Sequence, residues 1–427
     1  MRRRLFLFTA GVAGVKRAAA GERIRIGVSG VRGMGGEHLR TLARRTDAEI
    51  GALCDVDEGL LEKRCAELEK TTGQRPPVFH DIRRMLEVRD IDAVLIATPN
   101  HWHALQAIWA CQAGKDVYVE KPCCHSWWEG RQMLAAARKY NRIVQHGTQA
   151  RSSAAIQEGM GHLRGGLLGD VYLARALCFK TRDTIGRYPD EPVPAGVHYD
   201  LWLGPAPVRP FNRNRFHYNW HWNWDYGNGE IGNQGIHQLD MARWGLGAVY
   251  PRRVSAQGGH VLFDDDQQTP NVMNATFEFE VAGQKKLIIF ESRPWITNHE
   301  AGIGERHDPG SVGVTFYGRN GYLAMEWMWR YASYLGKEKA RGPAGEADPD
   351  AWGNFFRAVR SRRATDLNAE IEEGLTSTLL VHLANISYRL GRDVRFDAAA
   401  LNCGADEEAN RMLRRQYRPP FVVPDEV

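Results

Sequence analysis

A chain of 427 residues with 43% hydrophobic and 25% charged residues is long enough for two cores and has the composition of a globular protein. Its net charge of +5 is spread along the chain, and the one dense basic run, residues 2–4, is terminal, which argues against nucleic acid as a partner. Seven Cys without zinc-like spacing, two of them adjacent at Cys123-Cys124, argue against a disulfide framework and against a structural metal site.

Residues 1–22 combine a basic start, an apolar run from Leu5 to Val15 and the small residues Ala18, Ala19 and Ala20. The run is too short to span a bilayer and has the form of a processed export signal, so the fold is expected to begin after it. Arg3-Arg4 ahead of Leu5-Phe6-Leu7 resembles a twin-arginine signal, although the Ser or Thr usual before that pair is missing. The expected location is periplasmic, with the cytoplasm as the alternative, and no membrane contact is expected after processing.

Residues 23–29 (RIRIGVS) alternate apolar residues and read as a strand. Gly30, Gly33, Gly35 and Gly36 follow, then a helical pattern, then a second strand, EIGALCD, that ends in Asp55 about 20 residues on. Strand, glycine turn, helix, strand and acid is the dinucleotide-binding arrangement, in which the glycines let backbone approach a pyrophosphate at a helix N-terminus. With Gly30 and Gly35 as the first and third glycines, Arg32 occupies the middle position. Gly33 then supplies the close approach, or Arg32 leans away; Met34 completes the turn. Asp55 is expected to accept from both ribose hydroxyls, which favours NAD over NADP.

The pattern continues as a doubly wound sheet would. Residues 91–98 (IDAVLIAT) form a near-continuous apolar run, as a strand covered on both faces requires. The run ends in a stretch that holds Thr98, Pro99, Asn100 and His103, a helix is expected over 104–113, and Gly114 is its natural terminator. Then comes DVYVEKP at 116–122. Val117 and Val119 mark a short buried strand, and Pro122 ends it, holding Glu120 and Lys121 at the carboxyl end where open α/β sheets bind ligands. A lysine held beside a cofactor there has its pKa depressed and can handle a proton.

IGVSGVRGMG, CDVD, ATPNHWHA and above all VYVEKP, in that order, resemble the glucose–fructose oxidoreductase/inositol dehydrogenase/MocA family. The resemblance covers nearly everything after residue 22. It implies an α/β Rossmann domain over 23–150 and an α+β domain over 151–400 with an open, mainly antiparallel sheet facing the nicotinamide. It also implies a homo-oligomer assembled through that sheet. The tail over 401–427 carries Pro419, Pro420 and Pro424 and is expected to drape without forming a core. Lys121 falls on the lysine that the family places by the nicotinamide and the reacting hydroxyl, and Thr98, Pro99, Asn100, His103 and Glu120 fall on cofactor-lining positions.

In the second domain, FHYNWHWNWDY at 216–226 alternates aromatic and polar residues without a break. Extended, it presents one face of rings and one polar face, with His217, Trp224 and Asp225 as candidates for a sugar. His217 and His221 would then lie roughly 13 Å apart, too far for one metal ion. In the segment GNGEIGNQGIHQLDMARW, Asn233 and His237 are four apart and share a helical face. This stretch resembles the family's Asp-x-x-x-His signature, with His237 on the catalytic histidine and Asn233 where many members carry Asp. Asn accepts no proton at neutral pH, whereas His does. Asp240 either orients His237 or caps the helix, and Arg151 falls on another recurrent position, either reaching substrate oxygens or lying at the surface.

The expected activity is NAD-dependent oxidation or reduction at a secondary hydroxyl of a sugar, polyol or glycoside, with Lys121 and His237 sharing the proton and Asn233 orienting the hydroxyl. Some relatives with this fold are glycosidases that oxidise the ring only transiently, and these need a further base, for which Tyr188, Tyr199 and His217 are candidates. A redox-silent sugar or dinucleotide sensor is the third class, supported only by Asn233.

Overall fold

The computed structural model describes residues 23–294 and 310–427. The expected export segment, residues 1–22, lies outside the described residues. No helix among the described residues is long and apolar enough to cross a membrane.

The first sheet is built from β1 (Ile24–Ser29), α1 (Gly33–Ala43), β2 (Ala48–Cys54), α2 (Glu58–Thr72), β3 (Val78–Phe79), α3 (Ile82–Leu86), β4 (Ala93–Ile96), α4 (Asn100–Gln112), β5 (Asp116–Val119), α5 (Trp127–Lys139) and β6 (Val144–His146). Its strands are all parallel, in the order β3-β2-β1-β4-β5-β6. That order places the crevice of a doubly wound sheet at the carboxyl ends of β1 and β4. Every residue of β4 and β5 is buried, because helices cover both faces. Local chemistry sets the helix ends: Asp57 caps α2 through Leu60 N, Ser126 and Glu129 form a capping box on α5, and Gly114 takes φ +76° after α4.

The second unit contains α6 (Ala154–Arg164), β7 (Val171–Lys180), α7 (Tyr199–Leu203), α8 (Ile236–Leu246), β8 (Arg253–Gly259), β9 (Val272–Val281), β10 (Gln284–Pro294), β11 (Gly310–Gly318), β12 (Gly321–Glu326), β13 (Arg330–Leu335), β14 (Ala340–Glu346), α9 (Ala351–Ser361), α10 (Ile371–Leu390), β15 (Val394–Arg395) and α11 (Glu407–Met412). Its nine strands run β14-β13-β12-β11-β7-β10-β9-β8-β15, antiparallel except between β7 and β10. Helices α6, α8 and α10 cover one face.

Two placements differ from the sequence-based expectation. Helix α9 is expected within the second unit, yet its Trp352, Phe355 and Phe356 pack with Ile24, Ile26, Leu95 and Tyr118 of the first. The apolar stripe of α9 completes the Rossmann core from 200 residues downstream, and the ring of Trp352 stacks on Tyr118 at 4.6 Å. The tail, expected to stay out of the core, carries α11 and buries Leu413, Phe421 and Val423 in the main core.

Four histidines sit neutral inside this packing. Burial pulls His101, His237 and His382 down to about 3 and His146 to about 4, against a usual value of 6.5. Between pH 6.5 and those values the unfolded chain binds protons that the folded chain refuses, so stability falls as pH falls, by about 1.4 kcal/mol per pH unit for each histidine. Urea midpoints measured at pH 7.5, 6 and 5 are expected to drop steeply below 6.5; a flat profile would contradict the buried neutral histidines.

Candidate functional site

The glycine turn after β1 is shaped by contact with its neighbours. Gly30 has φ +82°, and a Cβ there would lie 2.6 Å from Ala97 O; a Cβ on Gly35 would lie 1.8 Å from Gly30 O. Neither position accepts a side chain, because β1, the turn and the end of β4 cross at backbone distance. Gly33, at φ +42°, instead faces open space. Arg32 is exposed and no side chain caps α1, so the N–H groups of the helix start stay open to an anion. Met34 is exposed beside them. Asp55 accepts from Val31 N at 2.9 Å and from Asp57 N at 3.2 Å, and burial raises its pKa. It therefore braces the turn as well as facing the expected ribose position. An open cradle, an uncapped helix N-terminus and an acid at the end of β2 fit a dinucleotide, with Gly33 and Met34 on its pyrophosphate and Asp55 on its ribose.

At the end of β5, Glu120 is 3% exposed. Its Oε1 accepts from His38 Nε2 at 2.8 Å and Gln149 Nε2 at 2.9 Å, and its Oε2 from Lys121 N at 3.1 Å. Trp352 Nε1 donates to His38 Nδ1 at 3.0 Å. An indole only donates, so the His38 proton is on Nε2 and points at Glu120. Burial alone would raise the Glu120 carboxyl, but the His38 hydrogen bond and the Lys121 charge hold it down to about 2.

Lys121 extends from this anion toward the second unit. Its Nζ donates to Asn233 O at 2.8 Å, across 112 residues of sequence. Burial lowers the Lys121 pKa, opposed by Glu120 and reinforced by the charge of Lys180. Asn233 lies in a π-helical turn, residues 231–235, that runs directly into α8 carrying His237. His237 is 5% exposed, and its Nδ1 has no hydrogen-bond partner. Burial, then the charge of Lys121, pull it to about 3, so it is a neutral acceptor at physiological pH. The structure thus brings Lys121 onto Asn233 and within electrostatic reach of His237; the Lys121 contact is to the Asn233 backbone, and the Asn233 amide faces Tyr218 Oη at 3.5 Å.

Thr98, Pro99 and His103 frame the approach. Pro99 is the N-cap of α4, and the Thr98 hydroxyl is buried without a partner. His103 lies 2.7 Å from both Pro122 O and Thr98 O, tying the α4 start to the end of the Lys121 strand. Asn100 is directed elsewhere: its Nδ2 donates to Asn228 Oδ1 at 2.9 Å and it is 1% exposed, so it seals the junction between the two units.

The residues predicted to hold substrate are not brought together. Residues 216–226 form 3₁₀ turns and bends, with His217 at φ +58°, and local bonds hold them there: Asn223 Oδ1 accepts from Asp225 N, and His221 Nδ1 lies 2.6 Å from Tyr218 O. His217 Nε2 lies 3.3 Å from Asp57 Oδ2, at the ribose end of the crevice. Trp224 is covered by Arg389, whose guanidinium lies 5.0 Å from its ring, and Asp225 pairs with Arg209 at 2.9 Å. Arg151 is 4% exposed and grips Asp240 at 2.8–3.1 Å, stacked on Trp244. The surface and substrate alternatives for Arg151 both fail, because its charge is spent on a buried acid. Asp240 also accepts from Ser377 Oγ at 2.6 Å. It neither caps the helix nor bonds His237.

His38, Gln149, Trp352, Tyr218 and Arg182 are functional neighbours that sequence reasoning missed. Only His38, one turn beyond the glycines, carries a local signal. Glu58, His80 and His198 bring ligand-type atoms within 4.8 Å of one another. The two imidazoles stack at 4.3 Å, so their in-plane lone pairs run side by side, and Glu58 already bonds His198 at 2.9 Å. The contact joins α7's leading segment to the ends of β2 and β3.

Comparison with known proteins agrees with this architecture. The family pattern described as "Oxidoreductase family, NAD-binding Rossmann fold" matches residues 24–148, and its "C-terminal alpha/beta domain" matches 181–276 and 342–423. The chain is 27% identical over 222 residues to the rhizopine catabolism protein MocA of Rhizobium meliloti, covering 52% of this chain and 57% of that one. It is 27% identical over 157 residues to an alpha-N-acetylgalactosaminidase of Shewanella oneidensis, covering 35% and 34%. The chain thus spans about half or less of these relatives. An aldose-aldose oxidoreductase from Caulobacter crescentus shares the fold with a TM-score of 0.63 at 17% identity, over 88% of this chain and all of that one.

Gly35→Ala is expected to displace the turn, weaken NADH binding at least tenfold in a fluorescence titration and lower stability by about 2–4 kcal/mol. Unchanged NADH binding in a folded variant would contradict the cradle.

Proposed function

The chain belongs to the glucose–fructose oxidoreductase/inositol dehydrogenase/MocA family of NAD-binding oxidoreductases, and from that premise we propose that it oxidises or reduces a secondary hydroxyl of a sugar, polyol or glycoside. One observation carries this reading. Lys121, at the carboxyl end of β5, reaches Asn233 at 2.8 Å, while His237 with its free Nδ1 stands one turn further along the same helical segment. NAD, when bound, supplies the hydride acceptor or donor.

The protein's part is position and proton transfer. Lys121 donates a hydrogen bond to the hydroxyl oxygen and favours the negative charge that develops there. His237, neutral and held in place by its helix, takes the proton on oxidation and returns it on reduction. Asn233 orients this pair by fixing Nζ through its carbonyl. Glu120 keeps a compensating charge beside Lys121, so the lysine stays a donor despite burial.

A second reading is an NAD-dependent glycosidase, favoured by the likeness to the alpha-N-acetylgalactosaminidase. It needs a base for the ring proton beside the transient ketone. Tyr199 Oη donates to Pro210 O inside an aromatic cluster, and His217 is at the ribose end, which leaves Tyr188, in the wall of the cavity described below, as its candidate.

The test is turnover of a panel of sugars and glycosides with NAD, following NADH and released aglycone together. NADH accumulation with the glycoside intact is the expected result; aglycone release without net NADH would select the second reading. Lys121→Met is expected to lower kcat by about 10²–10⁴-fold while dinucleotide binding survives. Full turnover by that variant would sink the assignment.

A further inference from the structure

A cavity of about 490 Å³ adjoins the site without containing Lys121 or His237. Tyr218 stands in its wall, and its hydroxyl lies 3.5 Å from Asn233 Nδ2, so the cavity borders the residue that holds Lys121.

The wall carries four cations, and three are matched by carboxylates. Arg182 is held by both oxygens of Glu230 at 3.0 and 3.1 Å, Arg213 by Glu191 at 2.8 and 2.6 Å, and Arg293 by Glu291 at 2.9 Å. Lys180 differs. Its Nζ donates to the neutral Gln234 Oε1 at 2.8 Å and lies 5.5 Å from the Trp327 ring, and among the described residues no carboxylate pairs with it. Gln234 follows Asn233 in the π-helical turn, so two ammonium groups, Lys121 and Lys180, are anchored on consecutive residues. Asn271 supplies a second donor. It is 6% exposed, and its Oδ1 accepts from Val261 N at 3.0 Å, which fixes the amide and leaves Nδ2 without a partner.

We infer that the substrate is an acidic sugar, a uronic or aldonic acid, whose carboxylate takes Lys180 as counter-ion and Asn271 Nδ2 as a second donor while its hydroxyl meets Lys121; this names the substrate class and rests on the hydride-transfer reading above. One uncompensated cation matches one negative charge, whereas a phosphate monoester brings nearly two. A half-buried cation without a carboxylate and a buried amide donor without a partner both favour a ligand that offers acceptors. Burial and then Arg182 lower the Lys180 pKa, and a carboxylate beside it opposes that shift.

The experiment titrates the full-length, NAD-loaded protein by calorimetry with matched pairs, a uronate and its neutral parent sugar in the gluco, galacto and manno series, and with the corresponding 6-phosphates. At least one uronate is expected to bind about tenfold or more tightly than its parent. Lys180→Met is expected to bring the pair within about twofold. Asn271→Asp, which keeps the oxygen that accepts from Val261 N, is expected to weaken the uronate selectively. Equal binding of uronate and parent, preference for the phosphate, no uronate binding in any series, or a uronate preference that persists in Lys180→Met would each overturn the inference. NADH formation on the same pairs separates the two claims. Lys180-dependent uronate binding without turnover keeps the acid site and removes hydride transfer. Turnover of neutral sugars without any uronate preference does the reverse.

Discussion

A buried carboxylate organises this molecule. Glu120 is almost fully enclosed yet ionised, and an enclosed charge survives only if its lone pairs are met by donors. Those donors come from three places: His38 on the helix after the glycine turn, Gln149 beyond β6, and the backbone of Lys121. His38 is in turn set by Trp352, which arrives from the end of the second sheet. One anion thus links the cofactor turn, the carboxyl end of β5 and a helix from far down the chain. It also leaves Lys121 with a counter-charge at its base and its ammonium group directed at Asn233 of the second unit.

The second unit answers with a short stretch of unusual helix. A π-helical turn widens the spiral by one residue per turn, which re-aims carbonyls and side chains that an α-helix would hold in register. Here it presents Asn233 O to Lys121 and Gln234 Oε1 to Lys180, then hands over to a regular helix that carries His237. Below that helix, the buried Arg151, Asp240 and Ser377, joined at the surface by Glu373, form a charged network that fixes α8 against α10. Arg151 belongs to this support, since its guanidinium is buried and meets the Asp240 carboxylate in a paired, charge-assisted contact.

The aromatic-rich segment shows why alternation alone misleads. Residues 216–226 have the period of a strand, but every second residue is Asn, His or Asp, and these bond nearby backbone N–H groups and favour turns. Phe216, Trp220, Trp222 and Tyr226 are buried, while Tyr218 remains at the cavity wall beside Arg182. Most of the rings therefore fill space inside the protein, and Tyr218 and Trp222 line the cavity.

What the sequence determined by itself is the part carried by local rules. Alternating apolar residues, glycines that cannot bear a side chain, an acid at the end of β2 and a proline after β5 specify a parallel sheet with a dinucleotide turn, and they place Lys121 at its carboxyl edge. The spacing of Asn233 and His237 likewise identifies their shared face. Tertiary structure alone decided the rest. Trp352 meets His38 across 314 residues, Asn233 meets Lys121 across 112, and Arg151 meets Asp240 across 89. Such pairs depend on how packed elements face one another, and no window of sequence records that. The same holds for charge: which of several lysines and arginines is left unmatched is a property of the assembled wall, because a carboxylate neutralises the cation it touches in space and not the one beside it in the chain.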